Sequence, residues 1–234
     1  MQRIVVLIAF LSMLLVVAGI WWTKTSSQGV PRSSHLEGVD VAHYQGRIDW
    51  DALAGDETAF AYIKATEGTS VVDPRFAENW RGARRAGVLR GAYHYFSPCQ
   101  YGRDQAVHFL SIVPATLGDL PPAIDAESLS ACSEGPAISD ISGEIIDFMR
   151  FIESERGVRP FIYTNRRFYE RHFDERFESE SFWLSSFGDE PDFGPRNWVF
   201  WQYAEDGRRR GISGPVDLNV FAGDMDDLRG LTVP

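Results

Sequence analysis

Short apolar segments alternate with amphipathic stretches from about residue 38 to the carboxyl terminus. The apolar segments are rich in β-branched and aromatic residues and are bounded by Gly, Pro, Asp and Asn, which is typical of buried strands. We predict strands over residues 38–42, 59–64, 90–96, 122–127, 159–163, 182–186, 198–203 and 216–219.

The amphipathic stretches predict helices over residues 73–86, 104–112, 138–156 and 166–171. The third helix has the clearest pattern, a single apolar stripe at three- and four-residue spacing that ends at Gly157. The stripe consists of Ile141, Ile145, Phe148, Met149 and Ile152.

Strands that alternate with helices favour a parallel sheet, and about eight strands favour its closure. The last three strands are too close in sequence for full crossover helices. We therefore predict an α/β fold, an irregular TIM-like β/α barrel of about eight strands whose last strands lack full crossover helices. In such barrels the functional groups collect at the carboxyl ends of the strands.

The amino-terminal segment differs from the rest of the chain. Residues 4–22 contain no charged side chain and approach the roughly 20 residues that span a bilayer. Trp21 and Trp22 suit a membrane interface. We favour a membrane anchor within residues 1–22, in the inner membrane; the alternative is a signal peptide cleaved near residues 17–19.

Both alternatives export the remainder, with the globular domain on the periplasmic or extracytoplasmic side or secreted. A linker rich in Ser, Thr, Gly and Pro follows at residues 23–36, and residues 37–234 form one domain. The formal net charge of −10 excludes an electrostatic attraction to nucleic acid. The five histidines are scattered and no Cys/His cluster has ligand spacing, so we expect no metal.

Cys99 and Cys132 follow the strands predicted at residues 90–96 and 122–127. Export permits a disulfide, and neighbouring strands would bring both loops to one end of the barrel. The alternative is two unpaired thiols. We treat the pair as a disulfide candidate.

Asp125 and Glu127 end the fourth predicted strand. Positions i and i+2 of a strand face the same side, and two acids on one face are costly in a core. They suit glycoside cleavage, in which one carboxyl holds a proton and the other is charged. An exposed strand end can also carry this pattern. Further polar and aromatic side chains at predicted strand ends favour a site: Asp40, Tyr93, Tyr163, Trp183, Gln202 and Asp217.

Seven ordered segments between residues 36 and 228 resemble glycoside hydrolase family 25, the muramidases or lysozymes with a flattened β/α barrel. They are GVDVAHYQGRIDW (38–50), FAYIKATEG (60–68), GAYHY (91–95), PAIDAE (122–127), PFIYT (160–164), WVFWQY (198–203) and GPVDLNVF (214–221). His43 and residues 182–187 depart from the family pattern, which leaves substrate preference and the role of Trp183 open.

The resemblance implies hydrolysis of the β-1,4 bond between N-acetylmuramic acid and N-acetylglucosamine in the glycan strands of peptidoglycan. We expect the protein to be a monomer and to need no cofactor. The resemblance also implies that Glu127 is the general acid and Asp125 its partner carboxylate, with Asp40 and Asp217 as further acids. The positions implied to shape the sugar site are Tyr62, Tyr93, Tyr163, Trp183 and Gln202.

Glu127 can donate a proton only if its pKa is raised, and we expect repulsion by the three aspartates to raise it, with partial burial adding to the effect. Asp125 then either activates water, which inverts the anomeric centre, or orients the 2-acetamido group of the substrate as internal nucleophile, which retains it. We favour the second. Rival functions are a catalytically silent peptidoglycan-binding domain and an envelope scaffold. The intact acid pair argues against the first, and a tight protein partner would identify the second.

Overall fold

The computed structural model describes residues 35–115, 117–128 and 138–233. Its strands are β1 Leu36–Val41, β2 Phe60–Glu67, β3 Val71–Val72, β4 Leu89–Tyr95, β5 Ala123–Asp125, β6 Phe161–Asn165, β7 Phe182–Ser185, β8 Phe200–Gly207 and β9 Val216–Phe221. Its α-helices are α1 Trp50–Ala54, α2 Phe76–Ala86, α3 Gly102–Ile112, α4 Ile141–Arg156, α5 Arg166–His172 and α6 Met225–Gly230. Short 3₁₀ turns occupy His43–Gln45 and Glu175–Phe177.

Eight of the strands close into a barrel, which confirms the predicted fold class. The sheet order is β1-β9-β8-β7-β6-β5-β4-β2-β3, and β1 also pairs with β2. Neighbouring strands in the barrel series β1, β2, β4, β5, β6, β7 and β8 are parallel. The last strand, β9, runs antiparallel to both of its neighbours, β8 and β1. Only residues 208–215 join β8 to β9, which is too short for a parallel crossover.

The observed helices and strands differ from the predicted ones in two ways: short ones were not predicted, and some begin or end at other residues. The patterns did not reveal α1, α6 or the two-residue strand β3, which lies outside the closed barrel. The strand predicted at residues 122–127 is shorter, because β5 ends at Asp125 and Glu127 lies beyond it. The helix predicted from residue 138 begins at Ile141, where the Asp140 side chain accepts a hydrogen bond from the Gly143 amide.

The barrel interior shows why polar groups collect at one end. Inward side chains alternate along each strand, and those nearer the amino end are large and apolar. On β2, Phe60 and Tyr62 are fully buried, whereas Lys64 reaches the open end. Apolar packing closes the lower barrel, so the upper end remains as a cavity. The interior cluster includes Phe60, Tyr62, Phe161, Tyr163, Trp183, Phe200 and Phe221.

A buried ion pair anchors the segment that leads into β5. The Arg90 Nε donates to Asp119 Oδ1 at 2.8 Å, and the guanidinium lies 4.0 Å from the centroid of the Trp80 ring. The Leu120 amide donates to the Arg90 carbonyl at 2.8 Å. These contacts fix the chain at the start of the strand that carries Asp125.

None of the helices in the described ranges is long and apolar enough to cross a membrane. The predicted anchor or signal peptide and nearly all of the predicted linker lie outside the described residues; Leu36, the last predicted linker residue, already belongs to β1.

Gly91 provides a test of the interior packing. A Cβ at this β4 position would lie 2.3 Å from Tyr62 Cε1, and that ring is held by its hydroxyl bond to the Pro121 carbonyl and by Trp183. We expect Gly91→Ala to lower the free energy of unfolding by about 2 kcal/mol in urea titrations. Gly214→Ala, where a Cβ meets nothing within 4 Å, is the control. Equal stability of the two variants would contradict the packing described.

Candidate active site

A cleft of about 380 Å³ opens at the carboxyl ends of the parallel strands. It contains Asp125 from β5, Glu127 just beyond it, Asp40 from β1 and Asp217 from β9. The structure therefore brings together all four predicted acids, although they come from distant parts of the sequence. The other lining side chains include Tyr44, Gln45, Lys64, Glu67, Tyr93, Tyr95, Tyr163, Trp183 and Gln202.

Backbone pairing on both sides fixes Asp125 and Glu127. Asp125 lies opposite Tyr95 of β4 and Tyr163 of β6. Beyond the strand end, the Ala126 amide donates to the Tyr163 carbonyl at 2.9 Å, and Thr164 Oγ1 donates to the Ala126 carbonyl at 2.8 Å. The i, i+2 relation predicted from the sequence thus places both carboxyl groups in the cleft although β5 has ended.

The pKa of Glu127 is raised, chiefly because partial burial disfavours its charged form. The charge of Asp40 adds to the rise, while hydrogen bonds from Asn165 and Tyr163 lower the pKa. Asn165 Nδ2 lies 3.4 Å from Glu127 Oε2. We expected repulsion between acids to be the main cause; burial is larger, because the carboxyl group sits partly below the cleft rim.

The pKa of Asp125 is raised well above its usual range. Burial is the main cause, followed by the charges of Glu127 and Asp40, and Lys64 opposes the rise. Only 8% of the residue is exposed, and its Oδ1 atom has no hydrogen-bond partner within the protein. Burial therefore disfavours the charged form of Asp125 in the unliganded cleft, and it leaves one buried oxygen, Oδ1, available to a ligand.

Asp40 and Asp217 face each other across the antiparallel β1–β9 pair and are hydrogen-bonded through their carboxyl groups. Such a bond requires a shared proton. Burial and the neighbouring Asp40 charge raise the pKa of Asp217 to about 9. Burial also raises the pKa of Asp40, against hydrogen bonds from Asn219 and Gln202 that favour its charge.

Amide side chains connect Asp40 to the opposite wall of the cleft. Gln202 Nε2 donates to Asp40 Oδ1 at 3.0 Å, and Asn219 Nδ2 donates to the same oxygen at 2.7 Å. The Gln202 Oε1 atom accepts from the Tyr163 hydroxyl at 2.9 Å and from Ser185 Oγ at 3.0 Å. The barrel thereby links the surroundings of Glu127 to Asp40 through directed hydrogen bonds.

The aromatic candidates occupy different depths. Tyr93 and Tyr163 line the cleft. Trp183 also borders it but is only 2% exposed, and its Nε1 donates to Asn219 Oδ1 at 2.8 Å, so it supports the Asp40 network from below. Tyr62 is fully buried beneath Trp183, with ring centroids 4.8 Å apart, and does not line the cleft.

Several functional neighbours were absent from our predicted site. Lys64 and Glu67 form an ion pair of 2.7 Å on the cleft wall, and Asn165 contacts Glu127. Lys64 and Glu67 were visible as charged residues ending the second apolar segment. Nothing comparable in the sequence pointed to Asn165, because an Asn before a helix is ordinarily explained by capping, and Asn165 does cap α5 by accepting from the Phe168 amide.

Two further sequence predictions concern a disulfide between Cys99 and Cys132 and the absence of a metal site. Cys132 lies outside the described residues, so the pairing with Cys99 stays a prediction. Within the described ranges, no group of three or more His, Cys, Asp or Glu side chains is arranged to hold a metal ion.

Known proteins are similar to this chain in both sequence and fold. Residues 39–212 match the family described as Glycosyl hydrolases family 25. The chain is 37% identical over 213 residues to the uncharacterized protein YegX of Escherichia coli O6:H1, covering 88% of this chain and 77% of that protein. It is 34% identical over 215 residues to Lysozyme M1 of Streptomyces globisporus, covering 87% and 73%.

The crystal structure of the bacterial lysozyme from Streptomyces coelicolor superposes with a TM-score of 0.78 at 32% identity, covering 86% of this chain and 98% of that one. The barrel, its acidic cleft and these similarities define a glycoside hydrolase. Within that class, the chain belongs to family 25 of the glycosyl hydrolases.

The shared proton of Asp40 and Asp217 predicts a pH-dependent stability. Because the pKa of Asp217 is raised to about 9, the folded protein binds more protons than the unfolded chain between about pH 4 and pH 9. Its stability therefore falls as pH rises through this window. The amide of Asp217→Asn can donate to Asp40 without a titrating proton, so we expect Tm to rise by about 4 °C at pH 8 and to change little at pH 4.

Thermal unfolding followed by circular dichroism at both pH values measures this difference. Asp147→Asn, which removes an exposed acid from α4, is the control and should keep the parent pH profile. A Tm for Asp217→Asn that falls equally at pH 4 and pH 8 would contradict the shared proton.

Proposed function

We propose that this glycoside hydrolase is a peptidoglycan muramidase that hydrolyses the β-1,4 bond between N-acetylmuramic acid and N-acetylglucosamine. The observation that carries the proposal is the pair of carboxyl groups, Asp125 and Glu127, in one cleft with pKa values raised mainly by burial. The relatives named as lysozymes and as N,O-diacetylmuramidase support the substrate.

Glu127 acts as the general acid. Its raised pKa keeps a proton available above the usual range of a glutamate, and the proton goes to the glycosidic oxygen as the bond breaks. Asn165 at one carboxyl oxygen restricts the orientation of the group. The acid therefore stays at the cleft surface rather than turning into solvent.

Asp125 supports catalysis through the 2-acetamido group of the sugar. Its buried and unpartnered Oδ1 suits the N–H of that group, which would donate to it. This bond favours the carboxylate, so a proton held by Asp125 is released to solvent water as the sugar binds, while Glu127 keeps its own proton for the glycosidic oxygen. The acetamido oxygen then attacks the anomeric carbon, and the negative Asp125 stabilises the positive charge of the cyclic intermediate.

Asp40 and Asp217 act as positioning groups in this proposal. Their shared proton and the amides of Gln202 and Asn219 hold the cleft wall in one arrangement. Tyr93, Tyr163 and Gln202 shape the sugar site, whereas Trp183 and Tyr62 support it from below.

The setting of the enzyme is part of the proposal. The apolar residues 4–22 export the chain and either anchor it in the membrane or are cleaved, and residues 37–234 act on peptidoglycan outside the cytoplasm. Cys99 and Cys132 form a disulfide there. The protein acts as a monomer and needs no cofactor.

Replacing the proposed acid tests the function directly. We expect Glu127→Gln to lower kcat on purified peptidoglycan by at least about 10³-fold, because the isosteric amide cannot donate the required proton. The decrease in turbidity of a peptidoglycan suspension measures the rate, and Tm measures folding. Glu155→Gln, an exposed change on α4, is the control.

A Glu127→Gln variant that stays active would remove Glu127 as the acid. A parent protein that binds peptidoglycan tightly without cleaving it would favour the catalytically silent binding domain. A tight protein partner, with no effect of Glu127→Gln in the cell, would favour the envelope scaffold.

The proposed role of Asp125 predicts the stereochemistry of the product. Attack by the acetamido group followed by water retains the anomeric configuration, so we expect the first product to be the β-anomer. Proton NMR of the anomeric signals during the first minutes of hydrolysis measures the ratio before mutarotation. An initial α-anomer would show that Asp125 activates water instead.

A further inference from the structure

Tyr44 is the cleft residue whose exposure is hardest to explain by folding. It lines the cleft, yet 77% of it is exposed. Large aromatic rings normally bury most of their surface. Because this exposed ring lines a polar cleft, it is available to contact a ligand that enters the cleft.

Neighbouring residues on both sides fix the turn that carries this ring. On one side, the backbone N and the ring Nδ1 of His43 contact Asp73 Oδ2 at 2.9 and 2.8 Å, and the Asp73 side chain is almost wholly buried. The His43 ring lies 3.9 Å from the Tyr44 ring, centroid to centroid. One flank of Tyr44 is therefore supported by a side chain that is itself fixed to the barrel.

On the other side, Gln45 fixes the same turn. Its Oε1 accepts from the Ala42 amide at 2.9 Å, and its Nε2 donates to the Pro215 carbonyl at 3.3 Å. The turn is thus tied both to the residue that follows β1 and to the segment before β9. Because the backbone is held at both ends, the ring is a preorganised surface and binding loses little entropy by ordering it.

The position of Tyr44 places it away from the proposed bond cleavage. It follows β1, whereas Asp125 ends β5, and two strands, β2 and β4, lie between them in the sheet. Three strand spacings amount to about 14 Å along the barrel wall. With its backbone at that separation and its ring exposed at the cleft, Tyr44 is open to a sugar further along the chain than the two that flank the broken bond.

We propose that Tyr44, supported by His43, is a stacking platform for a more distant sugar of the glycan strand and makes the enzyme prefer longer chains. The C–H faces of a pyranose ring are apolar and pack flat on an aromatic ring, which removes apolar surface of both from water. This inference rests on the proposed function for the identity of the glycan.

The test compares chain lengths with the full-length protein, kept in a mild detergent because of its apolar amino-terminal segment. The substrates are chains of two, four and eight alternating N-acetylmuramic acid and N-acetylglucosamine units. We expect Tyr44→Ala to raise KM about tenfold on the longest chain, to change it less than twofold on the shortest chain cleaved, and to leave kcat unchanged.

Three further variants distinguish stacking from other roles. Tyr44→Phe and Tyr44→Trp keep a flat ring and should retain the parent KM on every chain. Tyr101→Ala removes another exposed tyrosine, 51% exposed and outside the cleft lining, and is the control. An unchanged KM of Tyr44→Ala on the longest chain, or an equal loss on all lengths, would overturn the platform.

A binding measurement separates this inference from the proposed reaction. Titration calorimetry of the eight-unit chain into Glu127→Gln, with and without Tyr44→Ala, should give a Kd about tenfold higher for the double variant. A parent that fails to cleave any chain, together with this Kd difference, would refute the muramidase proposal and retain the platform. Equal Kd values would refute the platform whatever the catalytic result.

Discussion

The burial of carboxyl groups at the open end of an otherwise apolar barrel is the constraint on which the site depends. Charged carboxylates lose hydration there, so the pKa values of Asp125, Glu127, Asp40 and Asp217 are all raised. The fold tolerates this cost because strands on both sides hold the acids, and because side-chain amides donate to Asp40 and Glu127. Burial that would destabilise an ordinary core therefore supplies acids that keep protons available for chemistry.

The aromatic interior and the polar network are parts of one arrangement. Trp183 packs against Tyr62 and Tyr163 and also donates to Asn219, which in turn donates to Asp40. A change in packing below the cleft therefore alters the acids above it. The rim of the cleft differs from this packed interior. The ring of Tyr44 contacts the His43 ring and is otherwise largely exposed at the cleft.

Much of the fold could be predicted from the sequence, because strand and helix periodicities are strong in long elements. The eight barrel strands and the helix ended by Gly157 follow from such patterns. The two-residue strand β3 and the short helices α1 and α6 have too few residues for a period. The reversal of β9 depends on the short connection before it, which suggested an irregular end but not the strand direction.

The site could be predicted as a set of residues but not as an electrostatic state. Strand-end positions placed Asp125 and Glu127 together, since side chains two apart share a face. Whether burial or repulsion contributes more to a raised pKa depends on how deep the carboxyl group lies in the cleft, and the local sequence pattern does not show that depth. The contact of Asn165 with Glu127 arises from the pairing of β5 with β6 and equally leaves no sequence signal.

The central claim is that this buried acid pair cleaves peptidoglycan as a muramidase. Its most direct test is to digest purified peptidoglycan, reduce the new sugar ends with borohydride and identify them by mass spectrometry. The account predicts that the new reducing ends are reduced N-acetylmuramic acid. New ends of reduced N-acetylglucosamine, or no new ends at all, would contradict it.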